Sequence, residues 1–233
     1  MFDPANLNDP WDCKPWLDGL ALRDPEVFKE VMAHYHRQSQ AKGTLCPGLE
    51  QRLGTKLRDD PKEQAEFMDG QSKSIQRMVS ERRIYCLTPH ADSTLMWSHY
   101  ADKHRGVCLE FCVDKPLFSQ ALQVIYASEY PLWLPHEFET QQERTAEMIL
   151  TKAGEWRYEN EFRLISIPSG PETNWLRTHD DFFFLPPGAL KSVIAGCQAD
   201  YNAVRAIVET HAPDLPVKRA VRVPNHYRLV IQG

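Results

Sequence analysis

Lys152-Ala-Gly-Glu-Trp156-Arg-Tyr158-Glu159-Asn-Glu161-Phe-Arg163-Leu-Ile165 opens on charges and aromatic rings and closes on apolar side chains. The segment from Glu161 to Ile167 reads as a strand, whose side chains alternate between two faces. On that reading Glu159, Glu161 and Arg163 share one face, and Phe162, Leu164 and Tyr158 take the other. Two like charges with a counter-charge are costly in a core strand. They make sense if the row lines a cleft in which a carboxylate works. The plainer alternative is a solvated face carrying an ion pair worth about 0–1 kcal/mol.

Upstream, Asp24-Pro25 reads as an N-cap and first helical residue. The helix that follows carries Val27, Phe28, Val31, Met32 and Tyr35 at core spacing and ends near Ala41-Lys-Gly43. Asp60-Pro61 opens a more polar helix running to about Arg83, with Gly70 as a candidate break. Ile84–Leu87 is a short strand. Asp92-Ser93-Thr94 caps a helix bearing Trp97, and Gly106 to Cys112 is a strand. Gly106 is expected to take a positive φ where the helix exits. Gln123–Tyr126 reads as a strand and Pro135 to about Gly154 as a helix. Downstream, Asp181–Leu185 and Leu190–Ala195 are strands, Asp200 caps a helix to about His211, and 217–223 with 226–231 form a hairpin-like pair.

Helices dominate the first half and strands the second. The pattern predicts an α+β fold with a mixed or mainly antiparallel sheet and helices packed around it. One domain over 1–233 is expected, mostly helical over 1–83 and sheet-rich over 84–233. A 42% hydrophobic content suffices for one sizeable core. The net charge of −5 and a pI near 6.0 argue against general nucleic-acid binding. No apolar run approaches the ~20 residues of a membrane helix. Met1-Phe-Asp-Pro lacks the basic and apolar regions of a secretory signal. Several of the six cysteines sit in apolar runs without C-x-x-C spacing, which fits a reducing cytoplasm. Cys108, Cys112 and His104 lack zinc-ligand spacing, so no metal is expected. The glycine loops of nucleotide sites and the nucleophile elbow are absent as motifs.

Trp97, Tyr100 and His104 share a helical stripe, with Ser98 and His99 pointing elsewhere. Such a stripe offers a platform for a planar ring, or is simply an aromatic core. Asn8-Asp9-Pro10-Trp11-Asp12 is either a self-bonded surface turn or a loop that walls a pocket.

Three strings stand together: Leu7-Asn-Asp-Pro-Trp-Asp12; Leu95-Met-Trp-Ser-His-Tyr-Ala101 with His104-x-Gly106-Val-Cys-Leu-Glu-Phe111; and Lys152 with Trp156-x-Tyr-Glu-x-Glu-x-Arg163. Their order resembles a bacterial family, domain of unknown function 2971. That resemblance implies a one-domain cytoplasmic protein and supplies no reaction. It also implies a first strand ahead of the Asn-Asp-Pro turn, which this chain is expected to lack because it opens almost at that turn. Glu159-Asn-Glu161 further resembles the E-x-E string of one branch of ADP-ribosyltransferases, and Ser93-Thr94 its Ser-Thr element. That branch's first-strand arginine has no counterpart here.

From that second resemblance, Glu161 would stabilise an oxocarbenium-like transition state and Glu159 would orient the acceptor. Trp97 or Tyr100 would stack on nicotinamide, and Arg163 would hold the glutamate ionised or contact a phosphate. Tyr158, His104, Asn8 and Asp9 complete the candidate substrate-binding set. NAD would be a substrate, not a resident cofactor. The first reading is thus an enzyme acting on a nucleotide or glycosidic bond, in sharpest form by ADP-ribosyl transfer or dinucleotide hydrolysis, with a toxin or phage-defence role. A hydrolase using the Glu159/Glu161 pair and a non-catalytic module meeting a protein partner are the alternatives.

Overall fold

The computed structural model describes residues 4, 7–14, 16–17, 19–41, 43, 54–130, 132–133, 147–166, 178–179 and 182–233. Their contacts gather the chain into two compact units. One comprises Ile84–Val124 and Glu155–Gly233; the other comprises Phe2–Arg83 and Ile125–Gly154. The chain is α+β, with both parallel and antiparallel strand pairs.

The first unit is built on a four-stranded sheet in the order Leu229–Gln232, Val217–Arg222, Leu190–Ala195, Val107–Phe111. Leu190–Ala195 runs parallel to Val217–Arg222, and the other neighbours are antiparallel. The parallel pair needs a crossover, and helix Tyr201–His211 supplies it. Asp200 starts that helix by accepting the Ala203 amide at 3.1 Å, as its position ahead of an apolar stripe predicts. Trp97, Ala101, Ile194, Ala220 and Leu229 form one core cluster, with Cys108, Cys197 and Ile231 packed against it.

A three-stranded sheet orders Arg83–Leu87, Phe162–Ser166 and Leu122–Gln123. A second cluster gathers Leu117, Phe118, Leu164 and Ala189. Strand Val107–Phe111 does not bury its aliphatic side chains. Val107 and Leu109 are exposed, whereas Cys108 meets the first cluster and Phe111 packs against the second.

Helix Thr94–Tyr100 begins on Ser93, whose hydroxyl accepts the Met96 amide. It ends earlier than the aromatic stripe suggests. Asp102, Lys103 and His104 take positive φ of 44°, 54° and 69°, so His104 leaves the helical stripe. The turn is closed by the His104 amide on Trp97 O at 3.1 Å and the Gly106 amide on Ala101 O at 2.8 Å. The expected positive φ at Gly106 is therefore carried by its neighbours. Gly106 is needed for close approach, because a Cβ there would lie 3.0 Å from the Ala101 carbonyl carbon.

In the second unit, Asp24 and Asp60 each accept amides of the following turn, and Pro25 and Pro61 stand first in their helices. Those helices span Pro25–Ala41 and Pro61–Ser80, the latter running unbroken through Gly70. Leu22, Val31 and Met68 form the core between them, with Val27, Tyr35 and Phe67 alongside. Burying such a Leu or Val contributes about 1.5–3 kcal/mol. Two short parallel pairs complete the unit: Trp16–Leu17 with Leu132–Trp133, and Ile125–Ala127 with Thr151–Ala153. The helix expected over 135–154 is corrected in its last part. Residues 147–150 are helical, but Thr151–Ala153 is a strand; 135–146 lie outside the described residues. Among the described residues, no helix is long and apolar enough to cross a membrane.

Candidate functional site

The acidic motif does not form one strand row. Gly154–Glu159 is a 3-10 helix, Asn160 turns with φ 44°, and the strand starts at Phe162. Glu159 and Glu161 consequently meet different partners. Glu159 is 2% exposed and accepts the Tyr100 hydroxyl at 2.5 Å. Its backbone carbonyl takes the Thr88 hydroxyl at 2.7 Å. Tyr100 itself is 50% exposed. A phenol therefore stands between a buried carboxylate and the surface.

Glu161 is gripped side-on by Arg163, Nε to Oε1 at 2.7 Å and Nη2 to Oε2 at 3.1 Å. The forked guanidinium matches both carboxylate oxygens. Arg163 is fully buried on the middle strand of its sheet, opposite Leu122. The Val124 amide donates to Glu161 O at 2.9 Å and fixes the backbone beside the pair. This is a closed ion pair, not the solvated one that the plainer sequence reading allowed.

Around Tyr100 the rings converge. His99 lies 6.1 Å from Tyr100, 6.3 Å from Trp156 and 6.2 Å from Tyr158, and Trp156 lies 6.0 Å from Tyr158. His99, set aside in the sequence as pointing elsewhere, is thus the hub of the aromatic group. Trp97 is 3% exposed, sits in the core cluster and donates its indole N–H to Ala91 O at 2.7 Å.

His104 belongs to a separate chain of contacts. Ser98 gives its one hydroxyl proton to Thr94 O at 2.8 Å, so at 3.0 Å from His104 it accepts from Nε2–H. On the other side of the ring, Nδ1 lies 3.7 Å from the Cys197 sulfur. Cys197 had no sequence signal, being 93 positions away from His104 along the chain.

Asn8 and Asp9 lie in the second unit, where Asn8 is exposed and Asp9 is buried. Asp9 Oδ1 accepts the Trp11 amide at 2.9 Å, the local turn bond the motif suggests. The same loop also walls a cleft of about 210 Å³ with Asp9, Trp11, Asp12, Glu129, Tyr130 and Lys152 in its lining. Lys152 Nζ faces Asp12 Oδ2 at 3.8 Å, both side chains buried. Burial, then the charges of Asp9 and Asp12, push the Tyr130 phenol up to about 12, and its hydroxyl donates to Trp11 O at 3.1 Å. Tyr130 carried no motif. Among the described residues, no group of three or more His, Cys, Asp or Glu is arranged to hold a metal ion.

A family model described as "Protein of unknown function (DUF2971)" matches residues 96–164. That is under a third of the chain, but it contains Tyr100, His104, Tyr158, Glu159, Glu161 and Arg163. Over this stretch the chain is similar to that family. No curated protein and no solved structure matches it. Nothing in these comparisons carries a likeness to ADP-ribosyltransferases.

Proposed function

We propose that the chain is an enzyme acting on a nucleotide or related glycosidic bond, with Glu159 as its working carboxylate and Tyr100 as the group that connects it to substrate. The observation that supports this reading is the 2.5 Å bond from a half-exposed phenol to a buried carboxylate. An acceptor hydroxyl arriving at Tyr100 Oη can give up its proton as Tyr100 passes its own to Glu159. The neighbouring rings of His99, Trp156 and Tyr158 offer faces to a planar base.

The sharpest form is ADP-ribosyl transfer or NAD hydrolysis, NAD being the substrate. The ribose–nicotinamide bond breaks and nicotinamide leaves with the electron pair. Water, or a hydroxyl of a protein target, forms the new C–O bond, and its proton moves through Tyr100 to Glu159. Ionised Glu159 would also stabilise the positive charge that develops on the sugar. Glu161 then has a positioning role, since Arg163 engages both its oxygens. This engagement also weakens the reading in which the two glutamates act as an acid–base pair.

A second reading is a non-catalytic module for a protein partner. It draws support from Trp97, which is in the core and offers no stacking face. Thermal shift and nicotinamide release separate the two. NAD, ADP-ribose, ATP, a dinucleotide and simple sugars would be tested on the wild type, Glu159→Gln and Tyr100→Phe. The enzyme reading expects a raised midpoint with a nucleotide, and turnover falling at least about 100-fold in Glu159→Gln. Absence of any shift or turnover in the wild type overturns it. Slowed bacterial growth on expression, relieved by Glu159→Gln, is the outcome a toxin or defence effector would give.

A further inference from the structure

We propose that the cleft walled by Asp9, Trp11, Tyr130 and Lys152 is a second binding site, for a small organic cation bearing N–H donors, such as an alkylammonium or guanidinium group. The argument starts from Asp9. It is 2% exposed, and among the described residues its Oδ2 is the one buried side-chain polar atom without a hydrogen-bond partner. A buried acceptor left unpaired is expensive, more so when it carries charge, and native structures rarely keep one without a reason.

Three nearby donors go to other acceptors. The Trp11 amide goes to Asp9 Oδ1, the Tyr130 hydroxyl to Trp11 O, and the Cys13 thiol to Asp12 Oδ1 at 3.4 Å. Lys152 Nζ faces Asp12 Oδ2. Asp9 lines the cleft, so its unpaired carboxylate oxygen lies beside the space a ligand donor would occupy.

Charge selects the sign of the ligand. Among the described residues, three acids, Asp9, Asp12 and Glu129, line the cleft against one base, Lys152. Trp11, 63% exposed, is also in the lining, and an indole face is the best aromatic surface for a cation. Ala127 and Ala153 add an apolar wall for a carbon body. A bare metal ion is a poorer fit, because hard cations want six or more oxygens and no such cluster is present among the described residues. The volume of about 210 Å³ falls below the roughly 300–1,000 Å³ of drug-sized sites. The site thus suits a small molecule or the cationic head of a larger one.

Calorimetry on the full chain tests this with butylamine, putrescine and agmatine against butanol, and with magnesium chloride alone. The expected result is saturable binding of at least one amine or guanidine, none of butanol, and at least a tenfold loss in Asp9→Asn. Trp11→Ala, at an exposed ring, guards against a folding defect in Asp9→Asn and is expected to weaken the same ligand severalfold. Equal binding of butanol, unchanged affinity in both variants, binding of magnesium only, or no binding of any probe up to millimolar concentration each overturns the proposal. The probes and residues differ from those of the Glu159 experiment, so either idea can fail without the other.

Discussion

Asn160 takes a φ of 44°, a left-handed conformation that asparagine tolerates better than most side chains, and the turn sends Glu159 and Glu161 to different partners. Their substitutions should therefore differ in kind. Glu161→Gln removes the carboxylate charge that grips the fully buried Arg163 side-on, and breaking a buried pair costs about 3–5 kcal/mol. We expect about 3 kcal/mol here, since the amide keeps one acceptor, measured as a lowered urea midpoint at pH 7. A change below about 0.5 kcal/mol would show that Arg163 is satisfied without Glu161. The residues themselves were legible, because charges beside an apolar run stand out in any sequence. Their roles were not, because period-two alternation assumes a strand, and the strand begins only at Phe162.

Among elements, the four-stranded sheet carries a charged cross-strand cluster. Glu110 accepts Lys218 at 2.7 Å and Ser192 at 2.5 Å, and Lys191 approaches at 2.9 Å. The Lys218 hydrogen bond first, then those of Ser192 and Lys191, hold the Glu110 carboxyl at about 2, below its ordinary 4.5. A depressed carboxyl stabilises the fold above its unfolded pKa and stops doing so as pH falls through its folded one. The contribution is therefore complete above about pH 5 and fades between 4.5 and 2. After discounting for solvent screening it is about 1–2 kcal/mol. Glu110→Gln should lose that much at pH 7 and only about a quarter of it at pH 2.5, by denaturant unfolding at both.

The loop after helix Thr94–Tyr100 makes a second element-level test. A Cβ on Gly196 would overlap the His104 carbonyl, which also accepts the Gln198 amide at 3.0 Å. Backbone cannot yield as a flexible side chain can, so Gly196→Ala should destabilise by at least about 2 kcal/mol, read as a lower thermal midpoint. Capped helices were the most legible elements: Asp24, Asp60, Ser93 and Asp200 are local signals that local hydrogen bonds obey. The left-handed run Asp102–His104 was hidden, because no glycine stands within it and Gly106 drew the expectation of a positive φ to itself.

At the scale of the whole molecule, the α+β class was legible from the order of helical and strand-like runs. The grouping of the strands was not. Nothing local tells Ile125–Ala127 to pair in parallel with Thr151–Ala153, or gathers both with the helices of the first third. The same uncertainty hid Tyr130 and Lys152 from the reading of the Asn8–Asp12 loop, because a cleft between sequence-distant segments leaves no spacing to read. The interleaving has a consequence for synthesis. Helices Pro25–Ala41 and Pro61–Ser80 leave the ribosome before the strand Thr151–Ala153 of their own unit exists. At roughly 5–20 residues per second, the interval between residues 83 and 154 is about 4–14 s. During that time nascent chain from 84–124 has emerged while its own partners, from 155 onward, are still untranslated. Neither unit can be completed in the order it is made.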